Sequence, residues 1–438
     1  MNAISPLSRV CNSTRRNSVR LVGIFVLVIV LAPTQLSRGE TVRFAGDSDQ
    51  IGDNGRWTRA IAEEWAQKTN NTVEYINRPA DATATLHLYL QYWGSKSADV
   101  DVYMVDVIWQ GIAAPHAVDL SKYVKPDEIQ QFFPRSIENN RVNGRLVSLP
   151  WFIDAGLLYY RTDLLENYGY KAPPKTWEEL AQMAKKIEDG ERAAGNSNFQ
   201  GYVFEGKSSE SLTCNAVEWI YSYGGGTIIG PNKNVTINNL NAIKALETAK
   251  GWVGTIAPGE VTTYGEEDAR NIWQAGNAAF MRNWPYAYPL AANPKSQISG
   301  KFAVTVLPKG GATGNNAACL GGWQLMVSAY SKVPNASVDL VRYLTSPEIQ
   351  KRHATDLGLL PTLPALYSDP DLAKKIPWFK NAPEIVANVV ARPSTITGAS
   401  YNQLSSGVFE NVNKVLTGEE SADDAVLGIE RVARRILP

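Results

Sequence analysis

The stretch DVYMVDVIWQG, residues 101–111, decides the fold. Its first half is an apolar run of strand-forming side chains that ends at Asp106, and Trp109 follows in the turn. A short apolar run bounded in this way predicts a strand that is buried on both faces of a sheet. Ligands of parallel α/β sheets bind beyond the carboxyl ends of the strands. We therefore expect Asp106 and Trp109 at the binding edge of such a sheet.

The residues that precede this strand supply the rest of a sheet. TVRFAG (41–46) and NTVEYINR (71–78) have the composition of strands, and apolar residues recur at helical spacing from Trp57 to Trp65. LHLYLQYWG (86–94) predicts a second helix. The order strand, helix, strand, helix, strand predicts a parallel α/β sheet, because each helix returns the chain to begin a parallel strand.

A second set of elements follows, after which the chain returns to the first. Residues 146–149 predict a strand, residues 155–166 a strand that enters a helix, and KFAVTVLPKG (301–310) a strand of the first lobe again. A chain that leaves one lobe, builds another and returns forms two lobes joined by several segments, which suits hinge closure. The predicted lobes are residues 40–148 with 302–345 and residues 149–301 with 346–438.

Charge and composition narrow the class of partner. The chain has 438 residues, with 43 basic and 43 acidic side chains and a net charge of zero, which argues against a nucleic-acid partner. Its 12 Trp and 19 Tyr indicate binding surfaces in addition to core. A chain of this length is too long to fold around a single hydrophobic core, which agrees with two lobes.

The N-terminus has the pattern of a secretion signal. Basic residues from Arg15 to Arg20 precede an apolar run, LVGIFVLVIVLA (21–32), which is short for a membrane span. We expect a signal peptide over residues 1–39, with a retained membrane anchor as the alternative. Cys214 and Cys319 then remain in the exported part, either as a disulfide or as two buried thiols.

Catalytic motifs are absent from the sequence, but carboxylates remain. The chain has no G-x-S-x-G, H-E-x-x-H or phosphate-loop motif, and its three histidines have no metal-ligand spacing. We therefore expect no cofactor and no metal. Asp53, Asp106, Asp154 and Glu205 lie in or next to loops that follow strands. Two facing carboxylates could cleave a glycosidic bond, or they could accept hydrogen bonds from sugar hydroxyls.

Aromatic residues favour the second alternative. FMRNWPYAYPL (280–290) places Trp284 and Tyr286 beside polar residues, and Trp323 follows two glycines in CLGGWQLMVS. An aromatic ring can cover the apolar face of a pyranose, while charged side chains bind its hydroxyls. The combination predicts a sugar-binding wall.

These residues, in this order, resemble the family 1 solute-binding proteins of carbohydrate ABC importers, in particular the trehalose/maltose-binding branch. The likeness is carried by VDVIWQG, LPWFIDAGLLYYRTDLLENYGY, PPKTWEELAQMAKKI, WQAGNAAFMRNWPYAY, LGGWQL and ARP, which span nearly all of the chain after the signal. The resemblance implies an α/β fold of the type II periplasmic-binding-protein class. In that fold two lobes of sheet and helices are joined by a hinge of crossing segments, and the ligand binds in the cleft between them.

The resemblance also implies a role for individual positions. Asp106 and Asp154 would accept hydrogen bonds from sugar hydroxyls, one from each lobe, and Arg392 would donate to hydroxyls. Trp284 and Trp323 would stack, with Tyr286 adding a phenol hydrogen bond and Gly322 its backbone. Asp53, Arg78 and Phe152 fall near further family positions: Asp47 and Asp49 are rivals of Asp53, and Phe152 stands where relatives often have tyrosine. The choice among trehalose, maltose and sucrose therefore stays open.

The implied function is binding without chemistry. The chain would act as a periplasmic monomer that closes on a disaccharide and delivers it to the permease subunits of an ABC transporter in the membrane. A secreted glycoside hydrolase that uses two of Asp106, Asp154 and Glu205 is one alternative. A binder of another oligosaccharide or of a polyol is the other.

Overall fold

A computed structural model describes residues 39–376, 378–379 and 382–437, so the predicted signal peptide, apart from Gly39, lies outside the described residues. The strands are β1 Thr41–Gly46, β2 Thr72–Asn77, β3 Val102–Asp106, β4 Arg141–Val142, β5 Arg145–Leu146, β6 Leu149–Ala155, β7 Leu157–Arg161, β8 Gln200–Val203, β9 Ala278–Asn283, β10 Phe302–Thr305, β11 Ala318–Val327, β12 Leu360–Pro361 and β13 Val389–Val390. The helices are α1 Asn54–Thr69, α2 Ala82–Gly94, α3 Gln110–Ala113, α4 Pro126–Ile129, α5 Pro134–Asn139, α6 Thr162–Asn167, α7 Trp177–Ala193, α8 Glu210–Ser222, α9 Leu240–Trp252, α10 Glu266–Gln274, α11 Ala287–Ala292, α12 Pro334–Leu344, α13 Pro347–Leu357, α14 Pro370–Lys375, α15 Ala382–Ala387, α16 Ser394–Thr397, α17 Tyr401–Thr417 and α18 Ala422–Ile436.

The larger sheet contains the strand that decides the fold. Its order is β12-β6-β11-β3-β1-β2, and β13 pairs with β11. Strands β2 and β3 both pair in parallel with β1, and every residue of β3 is buried. The predicted strand, helix, strand, helix, strand unit is therefore confirmed, because α1 and α2 are the two crossovers.

The smaller sheet has the order β10-β7-β9-β8. The sequence assigned residues 301–310 to the first lobe, but β10 pairs antiparallel with β7 in this smaller sheet. The physical reason is packing: the Phe302 ring meets the rings of Tyr159, Trp273 and Tyr288. The strand that returns to the larger sheet is β11, between β6 and β3.

The chain crosses between the two sheets at Gly156. Strand β6 of the larger sheet ends at Ala155 and β7 of the smaller sheet begins at Leu157. A strand was predicted at residues 146–149; of these, Leu146 ends β5 and Leu149 begins β6, whose seven buried residues lie between β11 and β12. We name the two parts the large-sheet lobe and the small-sheet lobe; their residue boundaries stay a prediction.

The C-terminal residues contribute to both lobes. Residues 346–438 were predicted to belong to the second lobe, yet β12 pairs with β6 of the larger sheet. In contrast, α17 and α18 bury Val408, Val412 and Ile429 in the same core as α8 and α9. The N-terminus of α7 has the predicted cap, since Thr176 accepts a hydrogen bond from the Glu179 N–H.

Candidate functional site

A cleft of about 210 Å³, partly open to solvent, lies where β1, β2, β6 and β9 end and beside the middle of β11. Both lobes line it, because it receives residues from the loops after β1 and β2 and from the starts of α8 and α10. Seven of the ten residues predicted from the sequence line this cleft: Arg78, Phe152, Asp154, Trp284, Tyr286, Gly322 and Trp323.

Asp154 supplies a carboxyl group without a partner. It lies on β6 opposite Gly321, is 9% exposed, and its Oδ1 has no hydrogen-bond partner. Burial raises the pKa of Asp154 to about 8, and the charges of Asp47 and Asp106 add to this shift. A buried polar atom that lines a cleft and lacks a partner is suited to a hydrogen bond from a ligand.

Trp284 and Tyr286 form the aromatic wall on the small-sheet lobe. The Trp284 ring is half-buried, and the guanidinium carbon of Arg282 lies 3.9 Å from its centre. The Tyr159 hydroxyl donates to the Trp284 carbonyl at 2.7 Å, which fixes the backbone of the wall. Tyr286 donates its hydroxyl to Glu267 Oε1 at 2.5 Å, so its phenol group already has a protein partner.

Trp323 faces the cleft from the large-sheet lobe. The guanidinium carbon of Arg78 lies 3.8 Å from the centre of its ring, and Trp109 packs against the ring edge-on. Arg78 in turn donates to Asp47 Oδ1 at 2.7 Å, and both of these side chains are buried. Each cleft tryptophan is thus packed against an arginine, Trp284 against Arg282 and Trp323 against Arg78.

Gly322 leaves room for close packing of the two central strands. Its φ is +120°, and a Cβ atom at this position would lie 2.4 Å from the Phe152 carbonyl oxygen. Only glycine adopts this conformation readily. Phe152 lines the cleft but packs its ring against Trp151 and His353, so it presents an apolar surface without a hydroxyl.

Two predicted contacts, Asp106 and Arg392, lie behind the cleft wall. Arg392 donates to Glu210 Oε1 at 2.7 Å and is 3.4 Å from Asp106 Oδ1. Glu210 also accepts hydrogen bonds from the hydroxyls of Tyr401 and Ser405. Neither Asp106 nor Arg392 lines the cleft, because these opposite charges satisfy one another. The lining residue of this cluster is Glu210, which the sequence reasoning missed.

Asp53 lies outside the cleft. It precedes α1, its side chain is 59% exposed, and it forms an ion pair with Arg56. Of its two rivals, Asp47 lines the cleft, whereas Asp49 pairs with Arg59 and does not. The loop GDSDQIGDN contains three aspartates within seven residues, so the sequence alone did not distinguish them.

Glu205 is not placed for catalysis. It is fully buried, bonded to Arg282 and Asn215, and absent from the cleft lining. Burial raises the pKa of Glu205 to about 7, with Arg282 acting in the opposite direction. A pair of catalytic carboxylates at this cleft therefore cannot include Glu205.

Two contacts connect the lobes at the cleft, and three of their residues, Asp81, Lys207 and Glu210, line it. Lys207 donates to Asp81 Oδ2 at 3.2 Å, and the backbone N–H of Glu210 donates to Thr83 Oγ1 at 3.2 Å. Asp81 also caps α2 by accepting from the Ala84 N–H at 2.9 Å. Asp81 could have been recognised from the sequence as the N-cap of α2, whereas nothing in the sequence around Lys207 indicated its contact.

The remaining predictions from the sequence concern the two cysteines, metal binding and membrane-spanning helices. Cys214 and Cys319 are both buried free thiols, and Cys214 lines the cleft. Within the described ranges, no group of three or more His, Cys, Asp or Glu is arranged to hold a metal ion. None of the helices described is long and apolar enough to cross a membrane.

Comparisons with known proteins identify the family. Residues 48–351 match the model of the bacterial extracellular solute-binding proteins. A probable ABC transporter-binding protein of Deinococcus radiodurans is 48% identical over 417 residues, which are 95% of this chain and 98% of that protein. Maltose-bound MalE3 of T. maritima has a TM-score of 0.86 and 36% identity, covering 91% of this chain and all of the other.

A second solved structure has the same fold. The GacH receptor of Streptomyces glaucescens, solved without ligand and with acarbose, has a TM-score of 0.79 and 25% identity over 91% of this chain and 98% of its own. The two-lobed fold predicted from the sequence is therefore confirmed, as is the expectation that the chain is a binding protein and not an enzyme. The chain belongs to the bacterial extracellular solute-binding protein family.

Proposed function

We propose that the chain binds a disaccharide such as maltose, trehalose or sucrose in this cleft and delivers it, in the periplasm, to the permease of an ABC importer. The observation that carries this proposal is the pair of tryptophans, Trp284 and Trp323, one from each lobe, that line a cleft containing the unpartnered Asp154.

The two kinds of cleft surface match the two surfaces of a sugar ring. The tryptophan rings can cover the apolar C–H faces, and each 100 Å² of apolar surface buried contributes about 2.5 kcal/mol. Asp154 and Glu210 can bind hydroxyls, and a hydrogen bond contributes about 0.5–1.5 kcal/mol, or about 1.5–3 kcal/mol where one partner is charged. These contributions are sufficient for a micromolar dissociation constant, about −8 kcal/mol, after the free energy lost on ordering the ligand.

Lobe closure follows from the division of the site between two lobes. A sugar held by Trp323 on one side and by Trp284 on the other contacts both lobes only when the cleft is closed. The ligand therefore shifts the balance towards closure by its greater affinity for the closed form. The contact between Lys207 and Asp81 adds to the closed form from the protein itself.

Similar proteins support the ligand class and the partner. The T. maritima structure is maltose-bound, the Streptomyces receptor was solved with acarbose, and the Deinococcus relative is named as a transporter-binding protein. We extend these properties to this chain as a monomer that docks on permease subunits. An oligosaccharide or polyol ligand is the competing candidate, since Phe152 removes a hydroxyl contact without limiting the length of the cleft.

Calorimetric titration of the purified protein with trehalose, maltose, sucrose and glucose tests the proposal. We expect one disaccharide to bind with a micromolar dissociation constant and to be recovered intact. Release of monosaccharide would contradict a pure binding function. Absence of heat with all four sugars would overturn the disaccharide proposal, and the titration would then be extended to longer glycans and polyols.

A further inference from the structure

We propose that Arg282, which does not line the cleft, is a positioning residue that holds the Trp284 ring in its stacking orientation. The inference rests on the proposed function, because the orientation of this ring matters for binding only if the cleft receives a sugar.

The strand geometry places the two side chains together. Arg282 belongs to β9, and Trp284 lies two residues after Arg282, directly after the end of the strand, so both project to the same side of the chain. The guanidinium carbon lies 3.9 Å from the centre of the Trp284 ring. Arg282 is fully buried, and the half-buried ring turns its remaining exposed surface to the cleft. The guanidinium thus supports the ring from the protein side.

Two carboxylates fix the plane of the guanidinium. Glu218 accepts hydrogen bonds from Arg282 Nε at 2.9 Å and from Nη2 at 2.5 Å, and Glu205 accepts from Nη1 at 3.3 Å. All three side chains are fully buried. A two-point contact of this kind sets orientation as well as distance, because the guanidinium is planar and its donors are rigid.

The same cluster is tied to β11, the strand that carries the facing wall. Glu218 Oε1 accepts a hydrogen bond from the Cys319 N–H at 2.9 Å. Two residues further along β11, a Cβ atom at Gly321 would lie 3.0 Å from the Trp284 ring. The ring is therefore held between Arg282 behind it and the backbone of β11 beside it, and both supports meet at Glu218.

Substitution of Arg282 by lysine separates the role of the positive charge from the role of the planar guanidinium group. Arg282→Lys keeps the cation that Glu205 and Glu218 require but removes the planar surface behind the ring. Arg161→Lys is the matched control, because Arg161 is a buried arginine of neighbouring β7 that makes the same two-point contact with Asp163, at 2.7 and 2.6 Å.

The first readout requires no ligand. The intact protein is labelled with 5-fluorotryptophan, and Trp284→Phe identifies the ¹⁹F resonance of Trp284. We expect Arg282→Lys to shift and broaden this resonance and Arg161→Lys to leave it unchanged. A Trp284 resonance that is the same in Arg282→Lys as in the wild type would overturn the proposal.

The second readout is a double-mutant cycle with maltose as the probe. We expect Arg282→Lys to weaken binding about threefold to tenfold, because the guanidinium plane stacked on the ring is lost although the charge remains, and we expect this loss to vanish in a Trp284→Leu background. Losses that simply multiply would show that Arg282 acts independently of the ring.

If maltose does not bind the wild type, the maltose form of the proposed function fails, while the ¹⁹F result still decides the role of Arg282. If Arg282→Lys does not fold, the variant Arg282→Met/Glu205→Gln/Glu218→Gln, in which the cluster carries no charged side chain, takes its place with the same two readouts.

Discussion

Burial gives Asp154 a protonation state that is unusual for an aspartate. Its pKa is raised to about 8, so the carboxyl group of the folded protein carries a proton near neutral pH. As a neutral acid, this group can donate one hydrogen bond to a sugar oxygen and accept others from hydroxyls. The residue thus offers both kinds of hydrogen bond at the point where a sugar would lie beside Trp284.

The raised pKa of Asp154 predicts a direction for stability against pH. Between about pH 4 and pH 8 the folded state holds a proton that the unfolded state has lost, so the contribution of Asp154 to stability falls as the pH rises through this range. Asp154→Asn removes this dependence. We expect its melting temperature, relative to the wild type, to increase from pH 5 to pH 8.

Thermal unfolding at several pH values measures this effect, with Asp127→Asn, an exposed aspartate of α4, as the control. A constant difference between Asp154→Asn and the wild type across the range would contradict the assignment. Asp154→Ala, which removes both the donor and the acceptor, should weaken binding of the identified sugar about tenfold, the loss expected for one hydrogen bond, whereas Asp154→Asn keeps both kinds of hydrogen-bonding atom.

Single residues also show which contacts of the site could be predicted from the sequence and which could not. The aromatic wall and Asp154 could be predicted because the wall directly follows β9 and Asp154 lies near the end of β6, each within a short motif. The partners of Arg392 could not, because Glu210 and Asp106 lie 182 and 286 residues away along the chain. Arg282 stood within the quoted wall motif, but only its burial with Glu205 and Glu218 reveals that it supports the ring and does not face the cleft.

At the scale of elements, β11 connects the parts of the site. It pairs antiparallel with β3 and β6, which places Trp323 opposite Asp106 and Gly321 opposite Asp154. Gly321 and Gly322, which are adjacent in β11, leave space for different neighbours. Gly322 has φ +120° and leaves space for the backbone of β6, whereas Gly321 leaves space for the Trp284 ring.

This difference predicts distinct effects of two alanine substitutions. Gly322→Ala should destabilise the fold by about 1–3 kcal/mol, since it combines a disfavoured φ with a Cβ atom 2.4 Å from the Phe152 carbonyl oxygen. Gly321→Ala should affect ligand affinity more than stability, because its Cβ atom would meet the Trp284 ring at 3.0 Å. Urea unfolding and calorimetry on both variants measure the two effects. Equal destabilisation by both substitutions would contradict the distinction.

Elements with strong local patterns were predicted correctly. Strands β1 to β3 and helices α1, α2 and α7 have apolar periodicity or caps that act over a few residues. The partner of β10 could not be predicted, because its short run is compatible with either sheet. Only the aromatic contacts of Phe302 with Tyr159, Trp273 and Tyr288 select the smaller one.

At the scale of the whole molecule, the chain returns to the larger sheet after building the smaller one, so several segments connect the lobes. Gly156 shows how little space this crossing has, because a Cβ atom there would lie 2.0 Å from Glu218 Oε1. The crossing therefore passes directly beside the cluster of Glu218 and Arg282 that supports the cleft wall. The crossing between the lobes and the orientation of Trp284 therefore depend on the same buried cluster.

The ion pair between Lys207 and Asp81 leads to a prediction about the affinity and the dissociation rate of the ligand. Lys207→Met removes the ion pair between the lobes without altering the tryptophans of the cleft. Because the Lys207 side chain is 49% exposed, the expected loss is small, about twofold to fivefold in affinity. We expect this loss in the dissociation rate, because opening of the cleft would separate the two side chains. Stopped-flow displacement of the identified sugar measures this rate, with Lys185→Met, whose ion pair with Asp189 lies within α7, as the control. A dissociation rate equal to that of the wild type would show that the Lys207–Asp81 contact does not hold the cleft closed, and closure would then depend on the ligand and the Glu210–Thr83 hydrogen bond.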